Sequence, residues 1–333
     1  MKKYKVGIVG AGGVSELHFV GYKDHPERIE IVALCDPNVE TLNARADKYG
    51  VPQRFTDLQD FIQNSGVDVA VVCTPTSIRK QVIFPLIEAG LPVFVEKPFS
   101  DTLAEAVEIT EKAKKHGVAV SVNQNFRRHF PFELVKGKVA EGLIGSVTSI
   151  IFTNLFFRQD QGWRLKQERH ALSVMGIHWF DGFRQILGSE AVSVVCQTRS
   201  SAAIDCLGET DATVQVVYEN NAVATYVQSF SSAFGKGELI VIGETGTIAG
   251  GHNSVSLYRK GERSPEATWD NSVSREVATY EGLNQLLVSL ETGEEAPNSA
   301  QDNLKTVTVL DAAYVSAKEQ RIVLLNQGVA SGR

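Results

Sequence analysis

The sequence predicts two domains of different class: an α/β doubly wound parallel sheet over residues 1–124, and an α+β domain with a mostly antiparallel, open-faced sheet over residues 125–333. Three observations support this. A glycine-rich turn, Gly10-Ala11-Gly12-Gly13-Val14-Ser15, lies between a short apolar strand and a helix-like segment. From there to residue 123, apolar β-rich runs alternate with helical patterns, as parallel strands joined by crossover helices require. Beyond residue 145 the β-rich runs cluster without helices between them, which is the pattern of antiparallel pairing.

The bulk numbers exclude several classes. With 333 residues, 43% hydrophobic and 22% charged, the chain is an ordinary globular sequence long enough for two cores. A formal net charge of -6 gives no electrostatic reason to expect nucleic acid or an anionic membrane as a partner. Cys35, Cys73, Cys196 and Cys206 form no CxxC pair and no zinc-ligand spacing, so reduced thiols, a cytoplasmic setting and no metal site are expected. The apolar run after Lys2, Lys3 and Lys5 stops at glycine too soon for a signal peptide, and no stretch reaches the roughly 20 apolar residues of a membrane span.

Residues 5–9 read as a buried strand and 16–23 as a helix, the context that a dinucleotide-binding Rossmann turn requires. Gly10 permits the tight turn, Gly12 lets backbone approach a pyrophosphate, and a small Ser15 allows close helix packing. Gly13 and Val14 complete the turn, with the phosphates on the helix amino terminus. Strand 29–35 ends at Asp36, some twenty residues on. A carboxylate there accepts hydrogen bonds from the adenosine ribose and repels a 2′-phosphate, which favours NAD over NADP. Asp36 before Pro37 also fits a plain turn. Helix 39–49 is closed by Gly50, helix 58–64 follows, and strand 67–73 ends at Thr74-Pro75. Helix 78–89 stops at Gly90.

The next strand, Leu91-Pro92-Val93-Phe94-Val95, runs abruptly into Glu96-Lys97-Pro98. Lys97 therefore sits at a strand's carboxyl end, where open α/β sheets bind ligands. Desolvation there lowers an ammonium pKa towards neutrality. A solvated lysine closing a strand is the plainer reading. Helix 103–116, Gly117 and strand 118–123 complete the first domain.

The character changes after Asn125-Phe126-Arg127-Arg128 and helix 133–141. Strands are expected over 147–157, 192–198, 212–217, 222–230 and 238–242, with Glu219-Asn220-Asn221 turning a hairpin. Helix 172–187 carries His178 and Asp181 three apart on one face, expected to look into a cleft towards Lys97; a core histidine bonded to Asp181 fits the same spacing. Helices 280–291 and 299–319 and a short strand 322–325 end the pattern. An open sheet face with alternating apolar residues implies a dimer or tetramer.

Five motifs in order resemble one family, the Gfo/Idh/MocA oxidoreductases, which include glucose-fructose oxidoreductase and inositol dehydrogenase. They are the glycine turn with His18, Asp36, Thr74-Pro75, Glu96-Lys97-Pro98, and Gly176-Ile177-His178 with Asp181. The likeness covers essentially the whole chain, and it implies that the last segment returns to the first domain. It implies that Gly10, Gly12 and Asp36 hold the adenosine half of NAD, with Thr74 and Pro75 on the nicotinamide side. Glu96 and Lys97 belong to the same cofactor set, and Trp163 and Arg164 sit near the nicotinamide end. It implies that Lys97 and His178 are the catalytic pair, and that the Lys97-Pro98 bond is cis. Asn125 and Arg127 join Lys97 and His178 as candidate substrate contacts.

Three positions depart from the family pattern: Arg79 stands where histidine is frequent, Ser15 where glycine is preferred, and Val174 where the active-site aspartate is expected. His170 and Ser173 are near Val174 in sequence, but neither obviously replaces the carboxylate. Losing it should let desolvation dominate at Lys97, and Glu96 should not compensate, since successive strand side chains point to opposite faces. The expected activity is hydride transfer between NAD and a hydroxyl-bearing carbon of a sugar, polyol or related compound. The rival readings are an NAD-dependent glycoside hydrolase of the same fold and an NAD-binding sensor without turnover.

Overall fold

The computed structural model describes residues 2–271 and 273–325, and these divide into two compact units: residues 2–125 with 274–304, and residues 126–273 with 305–325. The expected second domain ran on to residue 333; residues 326–333 lie outside the described residues.

The first unit opens with β1 (Tyr4–Val9), α1 (Ser15–Tyr22), β2 (Ile29–Cys35), α2 (Val39–Tyr49), β3 (Gln53–Phe55) and α3 (Leu58–Asn64). It continues with β4 (Val69–Val72), α4 (Arg79–Glu88), β5 (Val93–Glu96), α5 (Leu103–His116) and β6 (Val120–Asn123). Punctuation sets these boundaries. Asn38, Asp57 and Thr102 each accept a backbone N–H in the first turn of α2, α3 and α5, while Gly50 and Gly117 close α2 and α5 in the left-handed region.

The six strands form one sheet in the order β3-β2-β1-β4-β5-β6, every pair parallel. β4, β5 and β6 are buried along their whole length, as expected of strands covered on both faces. The order reverses between β1 and β4; Gly10, Asp36 and Lys97 directly follow β1, β2 and β5, and Thr74 is the second residue after β4. All four therefore lie at the carboxyl edge, around the topological switch point where such sheets take ligands.

The second unit contains α6 (Phe132–Ala140), β7 (Val147–Phe157), α7 (Ile177–Leu187), β8 (Ala191–Arg199), β9 (Asp211–Tyr218) and β10 (Val223–Ser229). Then come β11 (Ser231–Gly243), β12 (Gly246–Gly250), β13 (Ser254–Arg259) and β14 (Ala267–Asp270). The last described elements are α8 (Arg275–Thr292), which belongs to the first unit, α9 (Ala300–Glu319) and β15 (Val323–Leu324). The nine-stranded sheet has the order β14-β13-β12-β11-β7-β10-β9-β8-β15 and is antiparallel except for the β7/β10 pair. The turn at 219–221 makes the expected hairpin, with Asn221 at φ 64°. α7 covers one face: Trp179 stacks on Phe152 of β7 at 3.3 Å, and Phe180 meets Tyr226 of β10 edge-on. On the alternate positions Ile151, Val227 and Ile240 are half-buried or exposed.

The largest differences from the sequence pattern are these. The helix expected over 172–187 is a π-helical turn over Leu172–Gly176 followed by α7. α8 starts at Arg275 because Ser274 caps it by accepting the Val277 N–H. β11 begins at Ser231, its Gly- and Ser-rich start pairing with β7 across a register break between Ser231 and Lys236. β3, β12, β13 and β14 were not expected. No helix among the described residues is long and apolar enough to cross a membrane.

Candidate active site

In the first unit the glycine turn is fixed from two sides. Gly10 has φ +100°, and a Cβ there would lie 2.9 Å from the Cys73 carbonyl carbon, so only glycine lets β1 turn against the end of β4. Gly12 and Gly13 face open space: a Cβ added at either would meet nothing within 4 Å. The Asp36 carboxylate accepts from the Ala11 N–H at 2.8 Å and from the Asn38 N–H at 2.8 Å, so it braces the turn as well as ending β2. Arg45 of α2 donates to the carbonyls of Ala11 and Gly12 and pairs with Glu16, which Lys48 and Tyr49 also bind.

Thr74 is buried, and its hydroxyl has no hydrogen-bond partner among the described residues. That orphaned group, the open glycines and the half-buried Asp36 fit a dinucleotide. Gln124, just past β6, is also buried with both ends of its amide lacking such a partner. Sequence reasoning passed over it, although a glutamine at the carboxyl edge of a buried strand is a readable signal.

Arg79, one of the departures from the family pattern, is buried and donates to the Thr74 carbonyl at 3.0 Å and to the Pro98 carbonyl. It therefore ties the loop after β4 to the turn after β5. The Lys97-Pro98 bond is cis. Glu96 is buried, its Oε1 accepting from Asn123 at 2.7 Å and lying 2.8 Å from His18 Nε2. Burial would push its carboxyl up, but His18, Asn123 and the Lys97 charge outweigh it and hold it at about 2. The Lys97 charge is thus one of the groups that hold Glu96 ionised. Its carboxylate is engaged by His18 and Asn123.

An Asp36→Ala variant should bind NAD about ten- to a hundredfold more weakly by titration calorimetry, since it loses a charged acceptor worth about 1.5–3 kcal/mol and the brace on Ala11. NADP binding should fall less, because the repulsion of a 2′-phosphate goes too.

In the second unit His178 stands in the first turn of α7, buried and stacked on Phe126 at 4.0 Å with the rings 14° apart. Arg127 places its fork on Asp181, with Nε and Nη2 at 2.7 and 2.6 Å. Asp181 also accepts from Thr306 at 2.9 Å and lies 3.6 Å from Arg184, so its carboxylate is fully engaged. Asn125, at the end of the first unit, is buried.

The π-helical turn before α7 is held by Glu209, whose carboxylate accepts from the His170 and Leu172 N–H groups at 2.9 Å and from the Tyr314 hydroxyl at 2.7 Å. Such turns recur at functional sites. Val174, inside it, packs with Phe156, Met175 and Cys206 against Ala171, Ile204 and Phe230. His170 Nε2 lies 2.8 Å from Asp160, which Arg158 also grips with two bonds. Ser173 gives its N–H to Tyr314. His170 and Ser173 are thus committed locally, and no carboxylate is supplied by either. Trp163, 37% exposed, has the Arg164 guanidinium 4.9 Å from its ring centre.

Comparison with known proteins agrees with this geometry. The oxidoreductase-family model described as an NAD-binding Rossmann fold matches residues 4–124, and the GFO/IDH/MocA C-terminal domain matches residues 132–249. The chain is 27% identical to D-apiose dehydrogenase of Paraburkholderia graminis, over 98% of this chain and 90% of that protein. It is 24% identical to myo-inositol 2-dehydrogenase of Thermotoga maritima, over 97% of this chain and 99% of that one. An Agrobacterium radiobacter oxidoreductase solved with NAD+, L-tartaric acid and magnesium has the same fold, with a TM-score of 0.88 at 22% identity over 97% and 98% of the two chains. With both domain models matched in order and the glycine turn, Asp36 and the Lys97 turn at the carboxyl edge of one parallel sheet, the chain belongs to the Gfo/Idh/MocA family of NAD-dependent oxidoreductases.

Proposed function

We propose that the protein oxidises or reduces a CH–OH group of a sugar or polyol, with Lys97 and His178 handling the hydroxyl proton. The observation that most supports this is the seat of Lys97: the residue directly after β5, an inner strand of a dinucleotide-binding sheet, in a turn braced by Arg79 and next to an ionised Glu96. The substrate class rests on relatives named for apiose and inositol.

Gly10, Gly12, Gly13, Val14 and Ser15 would hold the diphosphate, Asp36 the ribose, and Thr74 and Pro75 the nicotinamide side. Bound NAD supplies a hydride acceptor at C4. The chain's own task is to hold the reacting carbon there and move a proton. Lys97 donates a hydrogen bond to the reacting oxygen, stabilising the alkoxide as charge develops, and His178 takes the proton as general base. Asn125 and Arg127 are assigned to the substrate's remaining hydroxyls. Trp163 and Arg164 are assigned to the nicotinamide end. Val174 places an apolar side chain where a carboxylate is usual, so Lys97 takes a larger share of the proton transfer.

Incubation with NAD and a panel of pentoses, hexoses and cyclitols, read by absorbance of the reduced cofactor, tests the reading. Turnover of at least one compound supports it; no reduction across the panel by protein that binds NAD refutes it. The same reading has the half-exposed face of the nine-stranded sheet covered by a second copy. Sedimentation velocity should show a dimer or larger, and a monomer at micromolar concentration contradicts it.

A further inference from the structure

In the first unit a chain of buried polar groups runs inward from Lys97. Glu96 is 5% exposed and His18 is fully buried. His18 Nε2 lies 2.8 Å from Glu96 Oε1, and its Nδ1 lies 2.7 Å from the Tyr22 hydroxyl. Asn123 of β6 donates to the same Glu96 oxygen, with the Thr279 hydroxyl of α8 behind it at 3.5 Å. A carboxylate in such a place is costly unless paired and hydrogen-bonded, and well-packed apolar residues would usually be as stable. Stability alone therefore gives little reason to keep it next to Lys97.

We propose that the His18–Glu96 pair, clamped by Asn123, is a positioning device that keeps Lys97 charged and aimed. Glu96, His18 and Asn123 are positioning residues, and the inference rests on Lys97 being the catalytic lysine. The groups facing the pair are Tyr22 from α1, Cys73 after β4, Asn123 from β6, Thr279 from α8 and Lys97 itself, with the Arg79 cation held on the Pro98 carbonyl. Burial would lower the His18 pKa, but Cys73, Tyr22 and Glu96 raise it well above the ordinary imidazole value. Burial raises the Tyr22 phenol, which is neutral at pH 7, and the carboxylate bonded to the imidazole is that of Glu96. The pair is ionised on both sides, and of its two charges the anion is the one bonded next to Lys97. An anion at that range favours the ammonium form.

The test is the pKa of Lys97 itself, read from ¹³C-dimethylated protein by NMR in native, Glu96→Gln and Asn123→Ser chains, with a Lys97→Arg chain to assign the signal. Glu96→Gln keeps the side chain's shape and removes the charge. It should lower the Lys97 pKa by about one unit and move the ionisation seen in the kcat/KM profile by the same amount. Asn123→Ser, which loosens the carboxylate without removing it, should give a smaller shift of the same sign and serves if Glu96→Gln does not fold. A Lys97 pKa equal to the native value in every folded variant overturns the proposal. If the NMR pKa shifts but Lys97→Arg turns over normally, the electrostatic coupling stands and the catalytic role of Lys97 falls.

Discussion

Lys97→Met is expected to lower kcat by about 10²–10⁴, the range contributed by a positioned acid or base, while leaving the NAD dissociation constant essentially unchanged. Methionine keeps the apolar stem and the cis turn's packing but loses the three donors of the ammonium group. The contacts assigned to NAD lie elsewhere, at the glycine turn, Asp36 and Thr74. A loss confined to kcat would mean that Lys97 acts mainly in the transition state; a rise in KM alone would mean it only binds substrate. Lys97→Arg should not rescue it, because a guanidinium cannot give up its proton near neutral pH. Stopped-flow reduction of NAD by the best substrate from the panel makes the comparison.

Asp181→Ala is expected to destabilise the fold by about 3–5 kcal/mol, the usual cost of removing one partner from a buried ion pair. Asp181 and Arg184 side chains are each 2% exposed and Arg127 11%, so deleting one carboxylate leaves two guanidinium groups short of their shared counter-charge. Arg184 retains Glu190, but Arg127 loses both bonds to Asp181. The Thr306 hydroxyl also loses its acceptor. Urea unfolding should show the midpoint shift with little change in slope. The double change Arg127→Met with Asp181→Leu should cost less than Asp181→Ala alone, since no unpaired charge then remains between them.

The parallel sheet was legible because its signals are local. Five of its six strands are short apolar runs, α2 and α5 are closed by glycine, and the functional turns come at strand ends, so Gly10, Asp36, Thr74 and Lys97 could be placed on one edge from order alone. What the sequence hid was pairing between distant positions. His18, Glu96 and Asn123 meet from α1, β5 and β6, and nothing in their spacing announces it. A single carboxylate in the otherwise apolar β5 was the one hint, since a buried charge needs a partner. The Arg127–Asp181 fork spans 54 residues and was equally hidden. In the second unit, β12 begins and ends with glycine and β11 opens on serine and glycine, so weak β-propensity concealed strands that the ladder with their neighbours enforces. The π-helical turn around Val174 depends on Glu209 and Tyr314, residues 35 and 140 positions away in chain order, and no periodicity reports it.

The central claim, hydride transfer from a substrate carbon to the nicotinamide of NAD, is tested most directly with a panel substrate deuterated at its carbinol carbons. Mass spectrometry of the isolated reduced cofactor should find one deuterium, at C4 by NMR. Reduced cofactor that carries no deuterium, or conversion of the substrate with no label passing through the nicotinamide, contradicts the account.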